Sequence, residues 1–210
     1  MASSPEAQRL VSSLDRLYEA FRDVELPSDL KGCDYCWSDG WDSLRLPIGD
    51  VPYDDLVSFA MEGSDHWDPY APMLRRLFPR MARQLVEGTL YVDAAWVLSH
   101  LADAQWQEWR PDERTAIAEF LDSFFEKTLS EEPTSNLNGG ETLEAVAAAT
   151  GDVGPWLEEW DELPAEMTGQ HLEWVRRRRP HRGNAGWWPR GSEAQLDDWL
   201  PQAERRLPLK

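Results

Sequence analysis

Apolar residues along this chain recur at three- and four-residue intervals, the spacing of one helical face, and nowhere convincingly at a period of two. The clearest case is Arg110 to Ser130, RPDERTAIAEFLDSFFEKTLS. Ile117, Phe120, Leu121, Phe124, Phe125 and Thr128 form one stripe, with Asp112, Glu113, Arg114, Glu119, Asp122, Glu126 and Lys127 opposite. Pro111 suits a first turn, where its missing N–H has no partner to lose. Asp112 and Glu113 meet the positive end of the helix dipole, and Lys127 the negative end. Three phenylalanines on one face need neighbours on several sides, so this helix is expected at the centre of a helical array.

The same spacing predicts the other elements. Ser3 or Ser4 opens a helix with Pro5 in its first turn and a possible Ser-x-x-Glu capping box ending at Glu6. Its buried stripe is Leu10, Leu14, Leu17 and Phe21, with Val11 and Tyr18 beside them. A short helix runs from Asp50 and Pro52 to about Glu62 with Leu56, Phe59 and Ala60 inward. Another runs from about Pro72 to Glu87, which Pro79 should kink or divide. The stretch LYVDAAWVLSHLADA reads as helix, with Val92, Ala95, Trp96, Ser99 and His100 on one face and Leu98 and Leu101 at its edge. Four further helical segments follow: one with Leu143, Val146 and Ala147, ending at Gly151; one from Pro155 with Trp156, Leu157 and Trp160; one from Pro164 with Met167, His171, Leu172, Trp174 and Val175; and a last one from Ser192 with Leu196, Trp199 and Leu200. The expectation is an all-α chain of about eight to ten helices, in an irregular bundle or a short solenoid of antiparallel helix pairs. A single domain over residues 1–210 is expected, with a flexible point at 131–140, EEPTSNLNGG.

One long stretch resists periodicity. Residues 27–50, PSDLKGCDYCWSDGWDSLRLPIGD, are turn-rich and long for a connection without structure of its own. Burial of Trp37 and Trp41 would hold this loop down, and so would a metal. The C-x-x-C at Cys33 and Cys36 lets one turn present two thiolates to one ion. Further ligands would come from His66, His100, Asp34, Asp39, Asp65 or a second copy of the chain. Structural cysteines without metal are the first reading, zinc on Cys33, Cys36 and His66 the second; a thioredoxin-like role lacks the βαβ context it needs. His100 and His171, on apolar helical faces, read as satisfied buried histidines. Asp65-His66-Trp67-Asp68 is an ordinary loop pattern before it is an acid–base cluster.

The electrostatic exception lies at 171–190. Six arginines (176, 177, 178, 179, 182 and 190) stand there against Glu173, a net of +5 in a chain of net −18. Arg176, Arg177, Arg178 and Arg179 with Trp187 and Trp188 are a candidate anion or partner site. The plainer reading has them closing a helix dipole and pairing with the acidic body.

Composition narrows the classes. Twelve tryptophans imply a core and grooves lined by large rings. The 39 acidic against 21 basic residues make nucleic acid and anionic membranes poor partners and suit a basic protein. No run reaches the roughly 18 apolar residues of a membrane span, and MASSPEAQRL has neither the basic nor the apolar part of a secretory leader; a cytoplasmic location is expected. Nucleophile elbow, P-loop, dinucleotide fingerprint, H-E-x-x-H and EF-hand patterns are missing from the sequence, so no catalytic residue is assigned.

The succession LYEAF, GCDYC, DDLVSFA and RRLFPRM resembles a group of bacterial proteins that share an L-Y-x-x-F helix, a C-x-x-C and a leucine-rich stretch ending near F-x-P-R. The likeness covers roughly the first 85 residues and implies a bacterial helical protein, with no activity attached. Sequence alone therefore leads to an acidic, cytoplasmic, protein-binding helical protein of immunity or adaptor type. The alternative is a zinc-binding, small-ligand or enzymatic protein built around the Cys33/Cys36 loop and His66.

Overall fold

The computed structural model describes residues 4–38, 40–135, 137–180 and 186–206. The fold is all-α. Its helices are α1 (Pro5–Phe21), α2 (Tyr53–Met61), α3 (Tyr70–Val86), α4 (Ala94–Asp103), α5 (Pro111–Leu129), α6 (Gly139–Thr150), α7 (Gly154–Glu162), α8 (Ala165–Thr168), α9 (Leu172–Arg178) and α10 (Ser192–Arg206). Two two-residue strands, β1 (Lys31–Gly32) and β2 (Trp67–Asp68), pair antiparallel.

The closest helix packing joins α1 to α5, α4 to α6 and α6 to α9, elements far apart in sequence. That arrangement is an irregular bundle and not a stack of successive pairs. Helix α5 sits inside it as its stripe requires. Phe120 meets Phe78 of α3 edge-on at 6.0 Å, and Phe125 meets Trp156 and Trp160 of α7 at 5.3 and 6.0 Å. Each such ring taken out of water contributes about 2–3 kcal/mol. Ser13 and Ser123 share a buried hydrogen bond of 2.6 Å across the α1–α5 contact.

The polar face of α5 departs from the sequence expectation at Glu113, which is fully buried. It accepts from the Arg110 backbone N–H at 3.2 Å and is paired with Arg75 of α3, so one carboxylate caps α5 and ties it to its neighbour. In α1, Val11 and Tyr18 face solvent and the stripe narrows to Leu10, Leu14, Leu17 and Phe21. Ser4 is its N-cap, its hydroxyl accepting from Ala7 N–H at 3.1 Å, while Ser3 lies outside the described residues. Pro79 neither divides α3 nor ends it. Helix α4 starts at Ala94 behind the Asp93 cap and buries Val97, Leu98 and Leu101, which places the two leucines in its core face and not at the edge. The Pro164 segment is broken into α8, a 3-10 turn at Gly169–His171 and α9.

The loop expected at 131–140 is shorter, because α6 begins at Gly139. Asn138 caps α6, accepting from Gly140 and Glu141 N–H at 3.1 and 3.0 Å, and the two glycines are the first helical residues. A Cβ at Gly140 would fall 2.6 Å from the Trp174 carbonyl carbon of α9, and one at Gly139 would fall 2.6 Å from the Trp160 ring. Glycine here permits close approach of two helices. His171 completes the junction, its Nδ1 accepting from Gly139 N–H and its Nε2 donating to the Glu131 carbonyl, both at 2.9 Å. That satisfied, neutral imidazole matches the reading from sequence. His100 matches it by half: Nε2 reaches the Ala60 carbonyl at 3.2 Å while buried Nδ1 has no partner.

Candidate metal centre

The loop at 27–50 is held by α3 and by tryptophan. Arg76 donates to the carbonyls of Leu44, Arg45 and Leu46, the first two at 3.2 and 2.9 Å. Arg80 donates to Ile48 at 2.8 Å and to Val51. Two guanidiniums from one face of α3 thus satisfy a run of carbonyls that no helix or sheet uses. Trp37 and Trp41, each half-buried, pack edge-on against buried Trp67 at 5.6 and 5.4 Å, and Arg45 stacks over Trp41 at 4.3 Å. Gly32 lies flat on this cluster, where a Cβ would stand 2.9 Å from the Trp67 ring.

The two short strands set the register of the site. Gly32 pairs with Trp67, so the next residue in one direction, Cys33, stands across from the next in the other, His66. After Cys33 the chain turns, the Cys33 carbonyl accepting from Trp37 N–H at 3.0 Å, and Cys36 returns to the same spot. The backbone N–H groups of Cys36 and then Tyr35 point at the Cys33 sulfur and hold its thiol below the ordinary range. Cys36 is pushed the other way, up to about 11, first by loss of water contact and then by its bond to Cys33. Of the two thiols, Cys33 is the more acidic. His66 Nδ1 lies 3.1 Å from Cys36 Sγ, and its Nε2 lies 3.8 Å from Asp65.

Both sulfurs and a ring nitrogen of His66 lie within 4.8 Å of one another. Among the described residues this is the one place where three such ligands converge so closely. A tetrahedral zinc ion at ordinary bond lengths needs S···S and S···N separations of about 3.8 and 3.5 Å, so only small side-chain movements separate this trio from that geometry. Two thiolates and an imidazole are a soft donor set that suits zinc and not magnesium or calcium.

Of the other ligands considered from sequence, Asp65 stays 87% exposed beside His66, Asp34 is exposed, and His100 is in the core. Asp39 lies outside the described residues. Sequence reasoning missed Glu62, at the C-terminal end of α2 and four residues before His66. Its Oε2 accepts the indole N–H of both Trp37, at 3.0 Å, and Trp67, at 2.9 Å. The spacing of Glu62 and His66 was the available signal, though alone it is a common one.

The arginine-rich segment presents a different picture. Arg176 pairs with Glu173 and Glu204, Arg177 with Glu173 at 2.9 Å, Arg178 with Asp93 at 2.9 Å and with buried Glu144, and Arg179 with Asp197 at 2.6 Å. Glu144 also accepts from Trp187 N–H at 2.6 Å, and burial raises its carboxyl above the usual range despite that bond and its arginine. Trp188 is buried and donates to the Arg178 carbonyl at 3.0 Å; Trp187 packs on Trp96 at 4.5 Å. Arg182 lies outside the described residues. The four consecutive guanidiniums face carboxylates of their own chain, and the tryptophans pack onto the fold.

Fold and site together define an all-α protein in which two cysteines and one histidine form a donor cluster anchored by tryptophan. No protein-family model matches this chain, and comparisons with curated proteins and with solved structures return no match. Among the described residues, no helix is long and apolar enough to cross a membrane.

Proposed function

We propose that this is a zinc-binding helical protein in which Cys33, Cys36 and His66 hold one ion that cross-links the 27–50 loop to the α2–α3 connection. The observation that carries this reading is the convergence of the three ligand atoms within 4.8 Å, set by a two-residue strand pairing. Metal at this point would add directly to folding stability, because the unfolded chain has no such site. The ligands come from two separate backbone segments and tie them together, so the ion is read as a structural staple. The test is thermal unfolding and limited proteolysis with zinc and with a strong chelator. Zinc at 100 times its dissociation constant is expected to stabilise the protein by about 2.7 kcal/mol and to protect residues 27–50 from cleavage. The same melting temperature and cleavage pattern in both conditions contradicts the reading.

Binding of a basic protein is a second reading, and one observation favours it. Asp122 of α5 and Glu159 of α7 are held above the carboxylate range, first by burial and then by neighbouring acids; Glu159 reaches about 7 beside Asp122, Glu126 and Glu162. Carboxylates that raise one another mark a concentrated negative potential. A basic partner captured at low salt, and lost when Glu159 and Glu162 are replaced by glutamine, is the expected result. Capture unaffected by those changes removes this face from consideration.

A further inference from the structure

We infer that Cys33 and Cys36 are a reversible disulfide pair, oxidised by small disulfides of the glutathione type, and that this disulfide and the zinc ion exclude one another. The second half rests on the zinc reading above. The first half goes beyond it, in giving the two sulfurs an exchange chemistry of their own.

The chain holds two cysteines, both free, so each has the other as its one partner within the chain. Their sulfurs lie within 4.8 Å of one another. The backbone between them is a turn, in which the Cys33 carbonyl accepts from Trp37 N–H at 3.0 Å. Residues three apart on such a turn have Cα atoms less than about 7 Å apart, the limit within which a disulfide forms without moving the backbone. The ends of the turn are pinned and its tip is not. Gly32 lies on the Trp67 ring and Trp37 packs against the same ring at 5.6 Å, while Tyr35 is 92% exposed. Cys36 is exposed and Cys33 half-buried, so a small disulfide in solution has access to the pair.

The exchange balances with oxidised glutathione as the oxidant. One protein thiolate attacks a glutathione sulfur; the S–S bond breaks, a glutathione thiolate leaves with the electron pair, and a mixed disulfide remains on the protein. The second cysteine, its proton lost to solvent, attacks the protein-side sulfur of that mixed disulfide and expels the other glutathione. In sum the two protein thiols give up two electrons and two protons, and one glutathione disulfide becomes two thiols. Cysteine ligates a metal as thiolate, and the sulfurs of the new bond are thiolates no longer. Oxidation therefore takes two of the three donors and leaves His66 alone. The disulfide closes a ring over residues 33–36 and stays within the turn. It does not reach the α2–α3 connection, so it does not replace the ion as a cross-link. Redox state then decides whether 27–50 is stapled to His66 or held by its tryptophans and by Arg76 and Arg80.

The experiment incubates the reduced full chain in glutathione buffers of rising oxidised fraction, without metal and with zinc, and follows free thiols, intact mass and released zinc. Wild type is expected to lose both thiols together, as a monomer with no glutathione retained, and to recover them with dithiothreitol. Zinc at about 100 times its dissociation constant leaves about one chain in 100 metal-free and is expected to slow the oxidation about 100-fold. Zinc-loaded chains, once oxidised, are expected to release the ion and to be cleaved within 27–50 as chelator-treated protein is. Cys33→Ser and Cys36→Ser, checked for folding by circular dichroism, are each expected to stop with one glutathione retained, because the second thiol is missing. Wild type that stays reduced at every ratio, or ends as a double glutathione adduct or a disulfide-linked dimer, overturns the pairing and leaves the zinc reading standing. A disulfide that forms while zinc stays bound overturns the exclusion. Wild type that forms the disulfide and binds no zinc defeats the zinc reading and leaves the disulfide pair standing.

Discussion

Two tryptophan-bearing segments, residues 27–52 and the described part of 176–190, are held to the bundle in different ways. In both, arginines hold irregular backbone or helix ends against the bundle. At 176–179 each guanidinium meets a carboxylate, the most buried being Glu144, while Trp188 packs inward and the more exposed Trp187 lies against Trp96. Around 27–52 the arginines come from α3 and spend their donors on loop carbonyls, while Trp37 gives its own to Glu62, as Trp67 does from β2. What 176–179 has is charge compensation within the fold. Around 27–52, two cysteines and an imidazole lie within 4.8 Å of one another. Ion pairs within the chain tie down 176–179; at 27–52 the donor cluster is what the proposed zinc would use.

The sharpest way to break this contrast is to attack the compensated segment. Glu144→Gln leaves Arg178 with Asp93 as its one remaining carboxylate and weakens the hold on Trp187. It is expected to cost about 3 kcal/mol in denaturant unfolding, with zinc affinity unchanged. A loss of zinc binding in a folded Glu144→Gln protein would mean the two segments are not independent.

The next effect belongs to the loop. Arg76→Met strips donors from the Leu44, Arg45 and Leu46 carbonyls. A cost of about 2 kcal/mol is expected, with faster proteolysis within 27–50 and a weaker metal site because Cys33 and Cys36 lose their platform. Unchanged proteolysis would show that the tryptophans alone hold the loop.

A smaller change should follow neutralisation of one acid on α7. The Glu159 carboxyl titrates near 7 in the fold against 4.5 when exposed. Its stabilising contribution is complete below about pH 4.5 and is lost as pH rises through 7, where the charged form is penalised. Glu159→Gln is therefore expected to stabilise the protein by about 1 kcal/mol at pH 8, after discounting for its partial exposure, and to do nearly nothing at pH 4.5. Equal effects at both values would contradict the shift. Smallest of all, Arg179→Gln removes one exposed pair with Asp197 and is expected to cost less than about 1 kcal/mol, with no rise in melting temperature of either protein on adding phosphate. A phosphate-dependent rise in wild type that is absent from the variant would restore an anion site at 176–179.

Periodicity made most of the fold legible. The stripes of α1, α5, α7 and α10 are where their leucines, phenylalanines and tryptophans put them, because amphipathic helices against a core obey a local rule. Errors arose where a distant partner decided. Glu113 reads as a surface acid until Arg75, 38 residues earlier, is beside it. Asn138-Gly139-Gly140 reads as a loop because the reason for its glycines is the backbone of α9. The site divides the same way. Cys33, Cys36 and His66 are legible from ligand chemistry. The strand register that joins them is two residues long, too short for any periodic signal. Glu62, Arg76 and Arg80 have roles only once loop, α2 and α3 are in contact.

The central claim is most directly tested by elemental analysis together with native mass spectrometry of protein purified without chelator and offered zinc. Wild type is expected to carry one zinc per chain, and Cys33→Ser with Cys36→Ser none, with both proteins folded. Wild type with no bound metal, or a double variant that retains one equivalent, would contradict the account.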